Sequence, residues 1–198
     1  IKMEANYMEQ KVLERYLRWV NEKSLAPEDK EELLKIKDDE KEITERFIAD
    51  LEFGTGGLRG VMAMGTNRMN KYVIRHASQG FANFLLKQKE HPSIAIGYDS
   101  RNNSNVFAKE AANVLASSGV KVYLYKELMP TPALSFAVRH LHTDGGIVVT
   151  ASHNPKIYNG YKTYGPDGCQ MTDNNANAVL NEIESIDMFD VRYGNFDK

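Results

Sequence analysis

The chain has 198 residues, of which 42% are hydrophobic and 26% charged, with a formal net charge of −2. One cysteine, Cys169, excludes a disulfide framework and a cysteine-rich zinc site. No apolar run approaches the ~20 residues of a membrane-spanning helix, and the near-neutral balance lacks the basic footprint of a nucleic-acid binder.

The expectation is a globular, cytoplasmic chain with neither nucleic acid nor membrane as partner. Its opening, Ile-Lys-Met-Glu-Ala, has no apolar leader core, and Ile1 in place of Met points to a trimmed or partial chain.

Charge and glycine divide the sequence near Phe53-Gly54. Residues 1–53 carry net charge −5 and no glycine, whereas residues 54–198 carry +3 and all 14 glycines. Residues 1–53 read as a helical extension. Met8, Val12, Tyr16 and Val20 recur every four residues, with Leu13 and Leu17 beside them. Pro27 before Glu28 and Asp29 marks a helix start, and the acidic run 28–32 reads as a solvated face. Asp39 and Glu42 have capping-box spacing ahead of Ile43, Phe47 and Leu51.

Residues 54–187 read as one α/β domain. Helical spacing covers 72–89, followed by a short strand at 93–98, a helix at 106–117 and a strand at 120–125. A helix opened by Pro130 and Pro132 covers 131–141, and 145–150 is a buried-type strand. A last helix over 176–186 leads into a polar tail, 188–198, that reads as a linker. Alternating strands and helices predict right-handed crossovers and a mainly parallel mixed sheet with helices on its faces. Ligands of such sheets sit at the carboxyl ends of strands. That rule directs attention to Asp99-Ser100-Arg101 and to Ala151-Ser152-His153-Asn154-Pro155.

Three stretches could carry chemistry. In Thr150–Pro155 a strand ends in a hydroxyl, an imidazole and an amide before a proline. Ser152 there is placed to be a nucleophile or a phosphoryl carrier, with His153 to assist proton transfer. The competing reading is that Ser152 and Asn154 only make turn hydrogen bonds. Asn159-Gly160 is a hairpin-turn signal that would fold Lys162 back toward Ser152, where it could act as acid or base; a lone exposed strand lysine is the alternative. In Phe53–Gly60 (FGTGGLRG), glycine N–H groups could cradle an anion beside the planar fork of Arg59, or the glycines could form a flexible junction. This stretch is neither a dinucleotide fingerprint nor a P-loop. Gly-x-Ser-x-Gly and His-Glu-x-x-His are absent, and Asp99 and Asp144 read as turn or cap residues.

Taken in order, FGTGGLRG at 53–60, GYDSRN at 97–102, MPTPA at 129–133, VVTASHNP at 148–155 and NGYK at 159–162 resemble the α-D-phosphohexomutase superfamily. The likeness is to the N-terminal domain of its phosphoglucomutase/phosphomannomutase branch, which also includes phosphopentomutase-like enzymes. The resemblance implies a three-layer α/β/α sandwich. It implies that Ser152 is the phosphoserine, His153 its neighbouring histidine, Lys162 the general acid/base and Arg59 its partner, with Thr55, Gly56, Gly57, Asn154 and Arg101 in the substrate or phosphate loops. The implied reaction interconverts hexose 1-phosphate and hexose 6-phosphate through a 1,6-bisphosphate. Glucose 1,6-bisphosphate would be the activator, with one Mg²⁺ bound partly through the Ser152 phosphate. The family's metal loop is absent from this sequence, so most metal ligands and substrate contacts would come from other domains of the same polypeptide. The isolated chain would then be inactive. A non-catalytic phosphosugar-binding or partner-binding protein keeping the fold is the alternative.

Overall fold

The computed structural model describes residues 2–54 and 56–194, with side chains from residue 9 onward. The expectations placed on Ile1, on the Met8 side chain, on Thr55 and on 195–198 lie outside those residues. Three helices come first: α1 (Lys2–Asn21), α2 (Pro27–Lys35) and α3 (Glu40–Phe47). Pro27 opens α2 with Glu28 and Asp29 in its first turn. The Asp39 carboxylate accepts the Glu42 N–H at 3.0 Å to start α3. Glu42 does not reciprocate, because its carboxylate accepts from Arg46 Nε at 2.6 Å.

The α1 stripe buries Val12 and Tyr16, whereas Leu13 and Leu17 remain exposed. Trp19, which has no spacing to single it out in the sequence, is the largest fully buried side chain. It meets Phe47 and Tyr72 edge-on, with ring centroids 5.9 and 5.8 Å apart. The acidic run of α2 is not simply solvated. Asp29 is only 8% exposed and accepts from Tyr72 OH at 2.7 Å and Lys71 Nζ at 2.6 Å. Glu32 accepts from Arg46 Nη1 at 2.6 Å and the Met64 N–H at 2.9 Å. These carboxylates satisfy donors that packing removes from water. One apolar core runs from Tyr16, Trp19 and Phe47 into the sheet.

The strands are β1 (Phe53–Gly54), β2 (Gly57–Val61), β3 (Ser93–Tyr98), β4 (Lys121–Leu124), β5 (Gly145–Val149) and β6 (Tyr158–Tyr164). The remaining helices are α4 (Lys71–Gln88), α5 (Ser104–Ser117), α6 (Thr131–His140) and α7 (Asp173–Glu184). Among the described residues the strands form one mixed sheet in the order β1-β2-β6-β5-β3-β4. β5, β3 and β4 are parallel, as the strand–helix–strand alternation predicts. The other three pairings are antiparallel, so the sheet is mixed without being mainly parallel. The short loop at 150–157 reverses the chain between β5 and β6 too quickly for a crossover helix.

Ile94, Ile96, Ile147, Val149 and Tyr161 face one layer of helices, α4, α5 and α7. Ala95, Val148 and Tyr164 face α6 through Leu134, Ala137 and Val138. These layers make the α/β/α sandwich.

Asn159-Gly160 is not a turn. Both residues lie inside β6, where Asn159 is fully buried and bonds Asn102 O and Ser104 Oγ at 3.0 Å each. Gly160 is squeezed between backbones, because a Cβ there would stand 2.5 Å from Thr150 O and 3.0 Å from Leu58 O. The antiparallel β1–β2 pair, with Gly54 opposite Gly57, has Gly56 at φ +84°. A flexible junction is therefore not what the glycine-rich stretch forms.

The segment after α7 is not a free linker as far as Gly194. Phe189 stacks edge-on against Trp19 at 5.3 Å, and the Arg75 guanidinium lies 3.9 Å from the Tyr193 ring centroid. The Gly194 N–H donates to Ser117 Oγ at 2.8 Å. Among the described residues, no helix is long and apolar enough to cross a membrane.

Candidate active site

The carboxyl ends of β3 and β5 lie side by side and release the two loops named from the sequence. The 150–157 loop lifts Ser152 and His153 into solvent. Ser152 has φ +55°, the left-handed region that side-chain-bearing residues avoid. Its Oγ lies 3.3 Å from His153 Nδ1. Among the described residues His153 makes no ion pair with a carboxylate, so a Ser–His–acid relay is not assembled.

The antiparallel half of the sheet brings two cations to one face. Arg59 of β2 sits opposite Gly160 of β6, and the Thr150 N–H donates to Gly160 O at 3.0 Å. Lys162 pairs with Gly57 on one side and Val148 on the other. Arg59 and Lys162 are diagonal neighbours across the β2–β6 pair and therefore share a face. That face is the one α6 covers farther along the sheet, over β3 and β5. Arg59 is exposed and donates through Nη1 to Asn154 Oδ1 at 3.2 Å. Lys162 is half-buried, and among the described residues its side chain makes no hydrogen bond or ion pair. The turn that reverses the chain ahead of Lys162 is 150–157 and not Asn159-Gly160, and in register Lys162 stands opposite Val148, four residues before Ser152.

Two expected phosphate-loop residues do other work. Arg101 spends its guanidinium on the serine loop itself. Nη1 donates to Pro155 O at 3.1 Å and Tyr158 O at 3.2 Å, while Nη2 donates to Ser152 O at 2.8 Å and Asn154 O at 2.5 Å. Nε lies 3.7 Å from Asp99 Oδ2. With its donors committed, Arg101 is not a free phosphate fork. Gly56 likewise turns its N–H to Gly54 O at 2.5 Å, and its carbonyl accepts the Thr163 N–H at 2.8 Å. At Gly57 a Cβ would stand 2.3 Å from Tyr161 O. The glycines therefore serve close strand approach, and the Gly56 amide is not an open cradle.

Asp99 and Thr150 escaped the sequence reading as site residues. Asp99 stood in a loop singled out at a strand end but read as a turn or cap residue, and Thr150 opened the serine motif without a role of its own. Thr150 Oγ1 donates to Asp99 Oδ2 at 2.6 Å and accepts the Ser152 N–H at 3.0 Å.

Among the described residues, no group of three or more His, Cys, Asp or Glu is placed to hold a metal ion. These residues do not by themselves fit a Mg²⁺ site. A cavity of about 740 Å³ lies on the other face of the sheet, under α1 and α7, and its lining includes none of Ser152, His153, Lys162 and Arg59.

The chain folds as a mixed sheet between helical layers, with Ser152 exposed in the left-handed region at the carboxyl end of β5. Comparison with known proteins identifies the family to which this fold belongs. Residues 50–190 match the family model described as phosphoglucomutase/phosphomannomutase, alpha/beta/alpha domain I, and the chain belongs to that family. It is 46% identical over 140 residues to a phosphoglucomutase of Staphylococcus haemolyticus, covering 71% of this chain and 26% of that protein. A Staphylococcus aureus phosphoglucomutase is 46% identical over 142 residues, covering 72% of this chain and 26% of that protein. Among solved structures, a Thermus thermophilus protein described as a phosphomannomutase superposes with TM-score 0.64 and 36% identity, over 68% of this chain and 30% of its own. The chain thus spans about a quarter of the length of the curated relatives it matches.

Proposed function

We propose that this chain is the serine-bearing first domain of a hexose-phosphate mutase, and that Ser152 carries the phosphoryl group. The observation that carries the reading is Ser152 itself, exposed in the left-handed region beside His153, in a loop to which Arg59 is tied through Asn154. A structural turn would gain from glycine at that position, whereas a phosphoryl carrier needs the hydroxyl.

In this reading phosphoserine donates its phosphoryl group to the free hydroxyl of a hexose monophosphate. The P–O bond to Ser152 Oγ breaks as the P–O bond to the sugar forms, giving the 1,6-bisphosphate. After the sugar reorients, Ser152 Oγ attacks the other phosphate and releases the isomeric monophosphate. Lys162 removes the proton from the attacking sugar hydroxyl and returns it to the leaving sugar oxygen in the second step, while His153, 3.3 Å from Oγ, gives a proton to the departing serine oxygen and takes it back when that hydroxyl attacks. Arg59, and His153 when protonated, offset the negative charge of the transferring group, the main demand of phosphoryl transfer. Glucose 1,6-bisphosphate would prime a serine that has lost its phosphate. Mg²⁺ at the Ser152 phosphate would add charge neutralisation, with its remaining ligands outside this chain. The other substrate contacts would come from the rest of a longer polypeptide.

The test is turnover of hexose 1-phosphate by the full-length protein. Wild type should turn over, Ser152→Ala should be inactive, and the isolated 198-residue chain should show negligible turnover. Turnover by Ser152→Ala would overturn the phosphoserine reading. Turnover by the isolated chain would overturn its dependence on further domains.

A further inference from the structure

Beneath the exposed serine loop lies a polar frame that the proposed chemistry does not use. Asp99 Oδ1 accepts from Ser104 Oγ at 2.8 Å and from the Arg101 N–H at 3.0 Å. Asp99 Oδ2 accepts from Thr150 Oγ1 at 2.6 Å. A hydroxyl has a single proton to give. Once Thr150 gives it to Asp99, only its lone pairs remain, and one accepts the Ser152 N–H at 3.0 Å. The direction of the chain is therefore set: Ser152 N–H to Thr150, and Thr150 O–H to the carboxylate. From the other side, the Arg101 fork gathers the carbonyls of Ser152, Asn154, Pro155 and Tyr158. Ser152 is thus gripped at both its N–H and its C=O. A residue at φ +55° persists only where its surroundings over-determine it, and here the grip comes from the ends of two neighbouring strands.

We propose that Thr150, Asp99 and Arg101 are positioning residues for the Ser152 nucleophile. They hold its backbone in the left-handed conformation, and so fix where Oγ stands relative to Arg59 and Lys162. They touch neither the sugar nor the transferring phosphate. The inference rests on the phosphoserine reading and deepens it. Misplacing a reacting group by about 1 Å can cost roughly 10²-fold in rate, so the frame acts on kcat more than on substrate binding.

The experiment uses the full-length protein and compares Thr150→Val, Thr150→Ser and Arg101→Lys with wild type. Valine keeps the shape of threonine but removes both hydrogen bonds, and serine keeps both. Lysine has no planar fork to span four carbonyls. The expected result is a kcat lower by roughly 10- to 100-fold for Thr150→Val, with KM for the hexose phosphate little changed and recovery by Thr150→Ser. Arg101→Lys should lower kcat in the same way, and it supplies the reading should Thr150→Val not fold. A Thr150→Val or Arg101→Lys protein that folds and keeps wild-type kcat overturns the proposal. So does a loss that Thr150→Ser fails to restore, or one that only tracks the folded fraction in a melting curve. Ser152→Ala separates the two levels. If Ser152→Ala still turns over, the phosphoserine reading has failed. If it is inactive while Thr150→Val matches wild type, only the positioning inference has failed.

Discussion

Arg59 on β2 donates to Asn154 Oδ1 at 3.2 Å, joining residues 95 positions apart in sequence. The bond links the glycine-rich N-terminal stretch to the serine loop, with only Gly160 between Arg59 and the end of β5 in the strand register. It places a guanidinium at the serine rim while leaving most of its donors for a ligand.

Arg59→Ala should therefore separate stability from chemistry. Arg59 is exposed, so the substitution should change folding stability by no more than about 0.5 kcal/mol. In the full-length protein it should lower turnover by roughly 10²-fold, the scale for losing one donor to a developing charge. Arg59→Lys should recover only part of that, because lysine lacks the fork. Denaturation curves and steady-state rates measured on the same preparations check both halves.

Ser152→Gly and Ser152→Ala should differ in stability although both lack the hydroxyl. The left-handed conformation costs a side-chain-bearing residue roughly 1–2 kcal/mol, and glycine escapes that cost. Ser152→Gly should thus be about 1 kcal/mol more stable than Ser152→Ala, and neither should accept phosphate. Equal urea midpoints for the two variants would mean that the loop relaxes out of its left-handed turn.

Gly160→Ala should be among the most damaging methyl additions to the sheet. Its Cβ would meet two backbone carbonyl oxygens, at 2.5 and 3.0 Å, and strand backbone cannot swing aside as a side chain can. A loss of at least about 2 kcal/mol is expected, toward the upper part of the range for overpacking. Gly54→Ala is the contrast, because a Cβ there meets nothing within 4 Å. Urea unfolding of both variants measures the difference.

His76 should make the fold sensitive to mild acid. Burial pushes its imidazole below the ordinary 6.5, outweighing the Ile186 carbonyl at 3.0 Å and the carboxylates of Asp50 and Asp187, which favour the charged form. Arg15, Arg18 and Glu184 line the same cavity. As pH falls through 6.5 the unfolded chain takes up a proton before the native state does. This stability term is therefore fully present above 6.5 and is lost as pH drops toward the lower native value. His76→Gln should lose less stability than wild type between about pH 7 and pH 5. Parallel pH profiles for the two proteins would remove His76 as the cause.

Much of this was legible in the sequence because it depends on local periodicity. The strand at 93–98 and the helices that follow Pro27 and Pro130 obey propensity, capping and burial rules over a few residues. The family was also legible, because the motifs holding Arg59, Ser152, His153 and Lys162 occur in a fixed order. What was not legible depends on partners far away in the chain. Asn159-Gly160 carries the strongest short turn signal, yet Asn159 spends its side chain on Asn102 and Ser104, and Gly160 is needed for close strand contact. Asp29 looks solvated until Tyr72 and Lys71 arrive from 43 and 42 residues away. Arg101 looks like a phosphate ligand until the serine loop folds back on it and occupies its fork. The docked tail depends on Trp19, whose partners are likewise remote.

The central claim is that Ser152 carries a phosphoryl group. The most direct measurement is tandem mass spectrometry of the full-length protein, from its source cells and again after incubation with glucose 1,6-bisphosphate. It would read the tryptic peptide His140–Lys156, which contains Ser152. One phosphoryl group on Ser152 is expected, increased by the bisphosphate and absent from Ser152→Ala. An unmodified peptide in both samples, from protein that turns over hexose phosphate, would contradict it.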